Sequence, residues 1–286
     1  MRKLFILTLI MLCAFQSVAQ FAQYPQRFVE HLITRKLYDE AILVLHQKKL
    51  ATDDYQVRDS ADYWLGKTYY YLQQLDSSIH YLDRVSNASS FLYEEAQLFS
   101  AFNESYSGRF SQGLKKVNSI TTTKPDIKKL MQLEQGANYL LLNDIKKYDS
   151  LIVYIDRDWR ITQQQWINMG VYRNDLATVK KKSPWVGGVL SAILPGAGKI
   201  YAGRKGNGVY TFLVSGLMAA QSIEAYRKDG LKSARFIIYG SLFTSFYIGN
   251  IWGSTLAVKV VKNEKRDAIR QQILFDMHIP LRTFYQ

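Results

Sequence analysis

Four short stretches, LYDEAILVL, LDSSIHYL, FSQGLKKV and IKKYDSLI, align on Tyr38, Leu75, Phe110 and Ile145, at separations of 37, 35 and 35 residues. A fixed period of this length confines the chain to stacked copies of one supersecondary unit, because a single copy cannot bury its apolar face alone. From Phe28 to about Ile152 the apolar positions recur at helical spacing, with no alternating strand pattern and one proline, Pro125. The period therefore predicts helical hairpins, each covering the next. Leu65-Gly66 with Tyr69, and Gly136 with Tyr139, place a small residue and an aromatic one turn apart. The glycine allows two helices to approach closely, and the aromatic covers the neighbouring hairpin.

On these residues the region resembles the tetratricopeptide repeat, a unit of about 34 residues built as helix, turn and helix. The small residue of its second helix corresponds to Ala41, Ser78 and Gly113, but to Tyr148 in the fourth unit, where a bulky side chain would crowd the packing. The resemblance implies a concave surface that either binds a protein partner or only spaces what it joins.

The second half differs in charge. Residues 20–150 carry sixteen Lys and Arg against sixteen Asp and Glu, whereas residues 151–286 carry nineteen against eight. The excess flanks apolar segments: Lys180, Lys181 and Lys182 before one, Arg227, Lys228, Lys232 and Arg235 between two, and Lys259, Lys262, Lys265 and Arg266 after the last. That placement suits anionic lipid head groups and argues against nucleic acid, which requires a basic face on a soluble fold. Gly208–Tyr226 and Phe236–Val258 would reach about 28 and about 34 Å as helices, enough to cross a bilayer as an antiparallel hairpin. Gly249 and Gly253, and Gly216 with Ala220, form small-xxx-small pairs through which the two helices, or two copies of the chain, are expected to pack. Asn250 is a candidate helix-to-helix hydrogen-bond donor.

Ahead of the hairpin, WVGGVLSAIL at 185–194 is too short to span before Pro195, so 185–202 reads as a short, broken helix tucked against it. LPGAGKIYAGRKGNG, with FYIGNIWG at 246–253, resembles a C-terminal membrane module of bacterial proteins bearing PGxGxxYxGR and FYxGNxxG motifs. It is also similar, more loosely, to TM2-type domains. The motif residues here are Pro195, Gly196, Gly198, Tyr201, Gly203, Arg204, Gly249, Asn250 and Gly253. The resemblance implies an envelope membrane protein and names no reaction. Arg204 and Lys205 are placed to hold lipid phosphates.

MRKLFILTLIMLCAFQSVAQ has a basic start, an apolar run and a small-residue cleavage site, the pattern of a secretory signal peptide. Cys13 lies within it and is the chain's one cysteine, so no disulfide or cysteine metal site is expected after export.

No catalytic constellation emerges. Gly198-Lys199 is followed by Ile200 and preceded by Ile193 where a phosphate loop needs Ser or Thr and Gly. His31, His46, His80 and His278 are dispersed, with no HExxH, and GxSxG does not occur. Glu224, near the end of the first apolar segment, is the candidate intramembrane functional group, although Arg227 and Lys228 within a turn favour the interface.

The expected architecture is thus all-α: a signal peptide (1–19), tetratricopeptide-like repeats (20–152), a helical linker (153–182), a membrane module (183–258) and an amphipathic tail (259–286). The tail reads equally as a membrane-surface helix or as one folded back on the repeats. The expected function is a non-catalytic scaffold or partner-binding protein of the bacterial cell envelope, in membrane-protein or envelope assembly, anchored in the inner membrane with periplasmic repeats. No cofactor or metal is expected; the partners are a protein held by the repeats and membrane lipids, with a homodimer as an open alternative. The competing reading is a small transporter or lipid-handling protein using the glycine-rich stretch and Glu224.

Overall fold

The computed structural model describes residues 26–86 and 90–285. The expected signal peptide lies outside them. Every regular element among the described residues is helical: α1 (Gln26–Thr34), α2 (Tyr38–Leu50), α3 (Tyr55–Tyr71), α4 (Leu75–Leu82), α5 (Ser90–Tyr106), α6 (Phe110–Ser119), α7 (Pro125–Leu141), α8 (Ile145–Ile152), α9 (Gln163–Lys181), α10 (Pro184–Ile193), α11 (Ala197–Ala202), α12 (Lys205–Asp229) and α13 (Ala234–Tyr285). They divide into two compact units, the first running to Met169 and resuming at Ile273, the second Gly170–Gln272.

In the first unit, the four repeat anchors are each the first residue of a hairpin's second helix. The reason is local. Two residues before each anchor, Lys36, Gln73, Gly108 and Asn143 take positive φ of 61°, 60°, 83° and 58°. This left-handed residue ends the preceding helix, and the N–H that follows it bonds back to a carbonyl five residues earlier: Leu37 to Leu32, Gln74 to Tyr69, Arg109 to Glu104 and Asp144 to Tyr139, at 2.8–2.9 Å. The same turn thus recurs in α1–α2, α3–α4, α5–α6 and α7–α8. Asp54 and Asp144 cap α3 and α8 through the N–H groups of Gln56 and Lys147, and Pro125 opens α7 where its missing N–H costs nothing.

Packing follows the expected small residues. A Cβ at Gly66 would stand 2.5 Å from Leu82 Cγ, so α3 and α4 touch at the backbone there. Ala41, Ser78 and Gly113 are buried. Tyr148 is buried as well, at 2 % exposure, and α8 forms around it, so the fourth hairpin accommodates the bulky residue. Within the α3–α4 hairpin Ser78 Oγ donates to the Gly66 carbonyl at 2.7 Å, and bonds from Asn103 Nδ2 to Ser78 Oγ at 2.9 Å and from Ser105 Oγ to Asn138 Oδ1 at 2.7 Å stitch successive hairpins.

The C-terminal part of α13 completes this unit. Ile273, Met277 and Leu281, at four-residue spacing, are buried. His278 stacks on Phe102 with ring centroids 5.0 Å apart, Asn168 Nδ2 donates to Asp276 at 3.0 Å, and Phe284 meets Trp159 edge-on. Of the two readings of the tail, residues 273–285 take the one in which it folds back on the repeats.

The second unit contains the C-terminal part of α9, α10, α11, α12 and the first part of α13. Leu176, Val179, Val258 and Ile269 are buried at its two ends, but between them its interior is unlike the first unit's core of Leu, Phe and Tyr. From Ser183 to Ala257 every buried residue is Gly, Ala, Ser or Asn, while Trp185, Ile193, Tyr210, Leu213, Ile248 and Trp252 are among the exposed ones. The stretches expected to span a bilayer lie inside α12 and α13, yet no helix among the described residues is long and apolar enough to cross a membrane. The inward-facing Ser215, Ser222, Asn250 and Ser254 lower the apolarity of both.

Candidate functional site

The glycine-rich stretch folds as an elbow between α10 and α12. Leu194 is extended and Pro195 follows it, which ends α10. Gly196 and Gly203 then bracket the short α11 at φ of 89° and 102°, left-handed conformations that a side chain strains. A Cβ at Gly196 would lie 2.1 Å from the Gly208 carbonyl oxygen, and one at Gly198 would lie 1.9 Å from that of Gly187. These contacts explain why the motif's glycines stand where they do: backbone meets backbone at each. Tyr201 secures the elbow, its hydroxyl accepting from the Ser183 N–H at 3.1 Å and its carbonyl accepting from Lys182 Nζ at 3.0 Å. Arg204 reaches Glu264 at 3.2 Å.

The elbow rests on α13 through a chain of polar groups. The Gly198 N–H donates to Ser191 Oγ at 2.8 Å, Ser191 donates to Ser254 Oγ at 2.7 Å, and Ser254 donates to Asn250 Oδ1 at 3.4 Å. Beside it, Gly187 and Gly188 admit Val258 and Thr255. Tyr247 donates to the Ala192 carbonyl. Small residues therefore do mediate close packing, but not the pairs expected. A side chain at Gly216, Gly249 or Gly253 would meet no atom within 4 Å. The face of α13 that packs carries Asn250, Ser254 and Val258, and the glycines of GNIWG point elsewhere.

Between α12 and α13, beside α11, lies a cavity of about 540 Å3. Lys199, Thr211, Phe246, Gly249 and Asn250 are among the residues that line it. Glu224 is not. It sits on the exposed surface of α12, paired with Lys228 at 2.8 Å and 3.9 Å from Arg235. The structure thus brings Pro195, Gly196, Gly198, Tyr201 and Gly203 together in one elbow, with Arg204 at its end, and places Asn250 and Gly249 at the cavity. Gly253 and Glu224 stand apart from it. Sequence reasoning missed Lys199, Ser191 and Ser254; the signal was polar residues inside otherwise apolar stretches.

A second set of groups sits in the repeats. Tyr63, Lys67 and Glu95 are buried together, with Lys67 Nζ 3.0 Å and Tyr63 hydroxyl 2.5 Å from Glu95 Oε1, and the ammonium 3.6 Å from the centre of the Phe99 ring. Burial lowers the Lys67 pKa, an effect that Glu95 opposes, and burial, reinforced by Glu95, holds the Tyr63 phenol well above its ordinary value. Next to them a cavity of about 400 Å3 is lined by residues including Tyr70, Tyr71, Phe102, Tyr106, His278 and Arg282. Burial, then Arg282 and Lys67, push the His278 pKa down to about 4. No group of three or more His, Cys, Asp or Glu among the described residues is arranged to hold a metal ion.

Compared with known proteins, the chain matches no family model, no curated protein and no solved structure.

Proposed function

We propose that this chain is a non-catalytic, membrane-anchored scaffold of the bacterial cell envelope, with a tetratricopeptide-like repeat unit that holds a protein partner and a C-terminal module of the PGxGxxYxGR type that sits in lipid. The observation that carries the reading is the inverted polarity of residues 183–257 of the second unit, which keep Gly, Ala, Ser and Asn inside and turn Trp, Ile, Leu and Tyr outward. In water such a surface is a liability. In lipid it is the favourable arrangement, because outward apolar side chains match the solvent while association comes from close packing of small residues and interhelical hydrogen bonds. Average hydropathy underrates such a hairpin because it counts inward serines and asparagines as though they faced lipid. Arg227, Lys228, Lys232 and Arg235 at the turn supply the charge expected beside anionic head groups.

The packing of residues 273–285 in the same unit as the repeats supports an even number of crossings, since both must lie on one side of the membrane. Partner binding is supported by the repeats already holding an amphipathic segment, the chain's own Ile273, Met277 and Leu281. Single cysteines at Ser60, Gly230 and Phe275 in a Cys13→Ser background test the anchor in intact cells with a membrane-impermeant thiol reagent. Positions 60 and 275 should label from the periplasm and 230 should not. Labelling of 230 alongside 60, or release of the protein by alkaline carbonate, would sink the membrane reading. Cross-linking through the repeats that recovers no protein would sink the scaffold reading.

A further inference from the structure

The cavity between α12 and α13 has a chemical bias that its size alone does not convey. Among the described residues lining it, Lys199 is the one that bears a charge, and no carboxylate joins it. The Lys199 ammonium has three donors, of which Thr211 Oγ1 accepts one at 2.8 Å, while Thr211 passes its own proton to the Asn207 carbonyl at 2.7 Å. Asn250 is only 4 % exposed, and its Nδ2 has no hydrogen-bond partner. Its orientation follows from the chain of hydroxyls. Ser191 and Ser254 each donate onward, so Asn250 presents its oxygen to Ser254 and its N–H groups away from it. A buried donor left unmatched is destabilising, and an acceptor that reached it from the cavity would relieve that cost. Gly249 also lines the cavity, and a side chain there would meet no atom within 4 Å. Tyr210, Val214 and Phe246 make the remaining wall largely apolar.

We infer that this cavity binds the phosphate head of an anionic phospholipid, with Lys199 and Asn250 donating to its oxygens and the acyl chains lying along the exposed apolar faces of α12 and α13. A charged oxyanion matches a donor set without a carboxylate, and a lipid matches a cavity walled in part by Tyr210, Val214 and Phe246 on helices whose Leu213 and Ile248 are exposed. The inference rests on the membrane reading above. It differs from a general attraction of basic residues to acidic lipid, because Lys199 belongs to the elbow and not to the charged turn at 227–235.

The test uses the full-length protein in neutral detergent, following the thermal midpoint as phosphatidylglycerol, phosphatidylcholine or inorganic phosphate is added. Phosphatidylglycerol should raise the midpoint and phosphatidylcholine should not. Lys199→Gln and Gly249→Leu, the latter filling space that holds no atom, should each weaken the apparent affinity at least tenfold, with Lys199→Arg retaining it and Lys232→Gln, on the exposed turn, leaving it unchanged. Equal affinity in wild type and Lys199→Gln overturns the proposal, as does an equal loss in Lys232→Gln. A full shift with inorganic phosphate alone overturns its lipid form. Flotation on phosphatidylcholine vesicles separates the two readings. Wild type and Lys199→Gln floating alike while neither responds to phosphatidylglycerol removes the site and leaves the anchor; failure of the wild type to float removes the anchor.

Discussion

The Tyr70 hydroxyl hydrogen-bonds Nε2 of His278, joining two residues 208 positions apart in the chain. With the imidazole neutral, the hydroxyl donates to an unprotonated Nε2 or accepts from an Nε2–H, according to the tautomer. Burial beside Arg282 and Lys67 supplies that state by lowering the pKa from 6.5 to about 4.

Docking of residues 273–285 should therefore depend on pH. The unfolded or undocked histidine takes up a proton near 6.5 and the docked one near 4, so the undocked state binds more protons in between. Stability is full above about 6.5 and is lost as pH falls toward about 4. The protection of amides in 273–285, measured as exchange relative to the intrinsic rate at each pH, should fall at pH 5 relative to pH 7.5, and His278→Phe should flatten the dependence. An unchanged exchange profile would show that the contact does not govern docking.

Removing one partner of the buried Lys67–Glu95 pair leaves a charge without compensation. Glu95→Ala is expected to destabilise the protein by about 3–5 kcal/mol, and Glu95→Gln by less, because the amide oxygen still accepts from Lys67 and Tyr63. Urea unfolding of the two variants measures the difference.

Two glycine substitutions should act in opposite directions. Gly66→Ala drives a methyl into fully buried Leu82 and should cost about 1–3 kcal/mol. Gly249→Ala meets no atom and sits inside α13, where alanine is the better helix former by about 0.8–1 kcal/mol. Thermal midpoints read both signs directly.

Glu134 is fully buried, and its Oε2 has no hydrogen-bond partner; burial raises its pKa well above the ordinary carboxylate value. The folded state keeps the proton that the unfolded chain releases near pH 4.3, so stability falls as pH rises above that point. Glu134→Gln is expected to raise stability at pH 8, with the gain shrinking toward pH 4. A gain of equal size at both pH values would exclude a protonated Glu134.

The repeat was readable to the residue because the same turn is solved the same way four times: a left-handed residue, a returning N–H, and a helix beginning at the anchor. Lys36, Gln73 and Asn143 do this without glycine, so the period showed in the apolar anchors and not in the turn residues. The elbow at Pro195–Gly203 was readable as broken backbone, but what its glycines touch was not, since Gly198 meets Gly187 and Gly196 meets Gly208 across intervening helices. The small-xxx-small spacing misdirected the packing to Gly249 and Gly253, because spacing fixes a face of a helix without saying which neighbour it meets. Lys199 and Asn250 line one cavity from distant parts of the chain, and the bond between Ser191 and Ser254 that ties the elbow to α13 itself spans 63 positions. The tail's apolar stripe of Ile273, Met277 and Leu281 suits a lipid surface and a protein groove equally, and tertiary contact decided it.

An interior of glycine and serine inverts the usual map of mutational tolerance. Across 183–257, exchanging outward Leu213 or Ile248 for another aliphatic residue should pass unnoticed, while one extra methyl at Gly187, Gly196 or Gly198 should be ruinous. In related chains, variation would then gather on the greasy exterior, and the smallest residues would be the slowest to change.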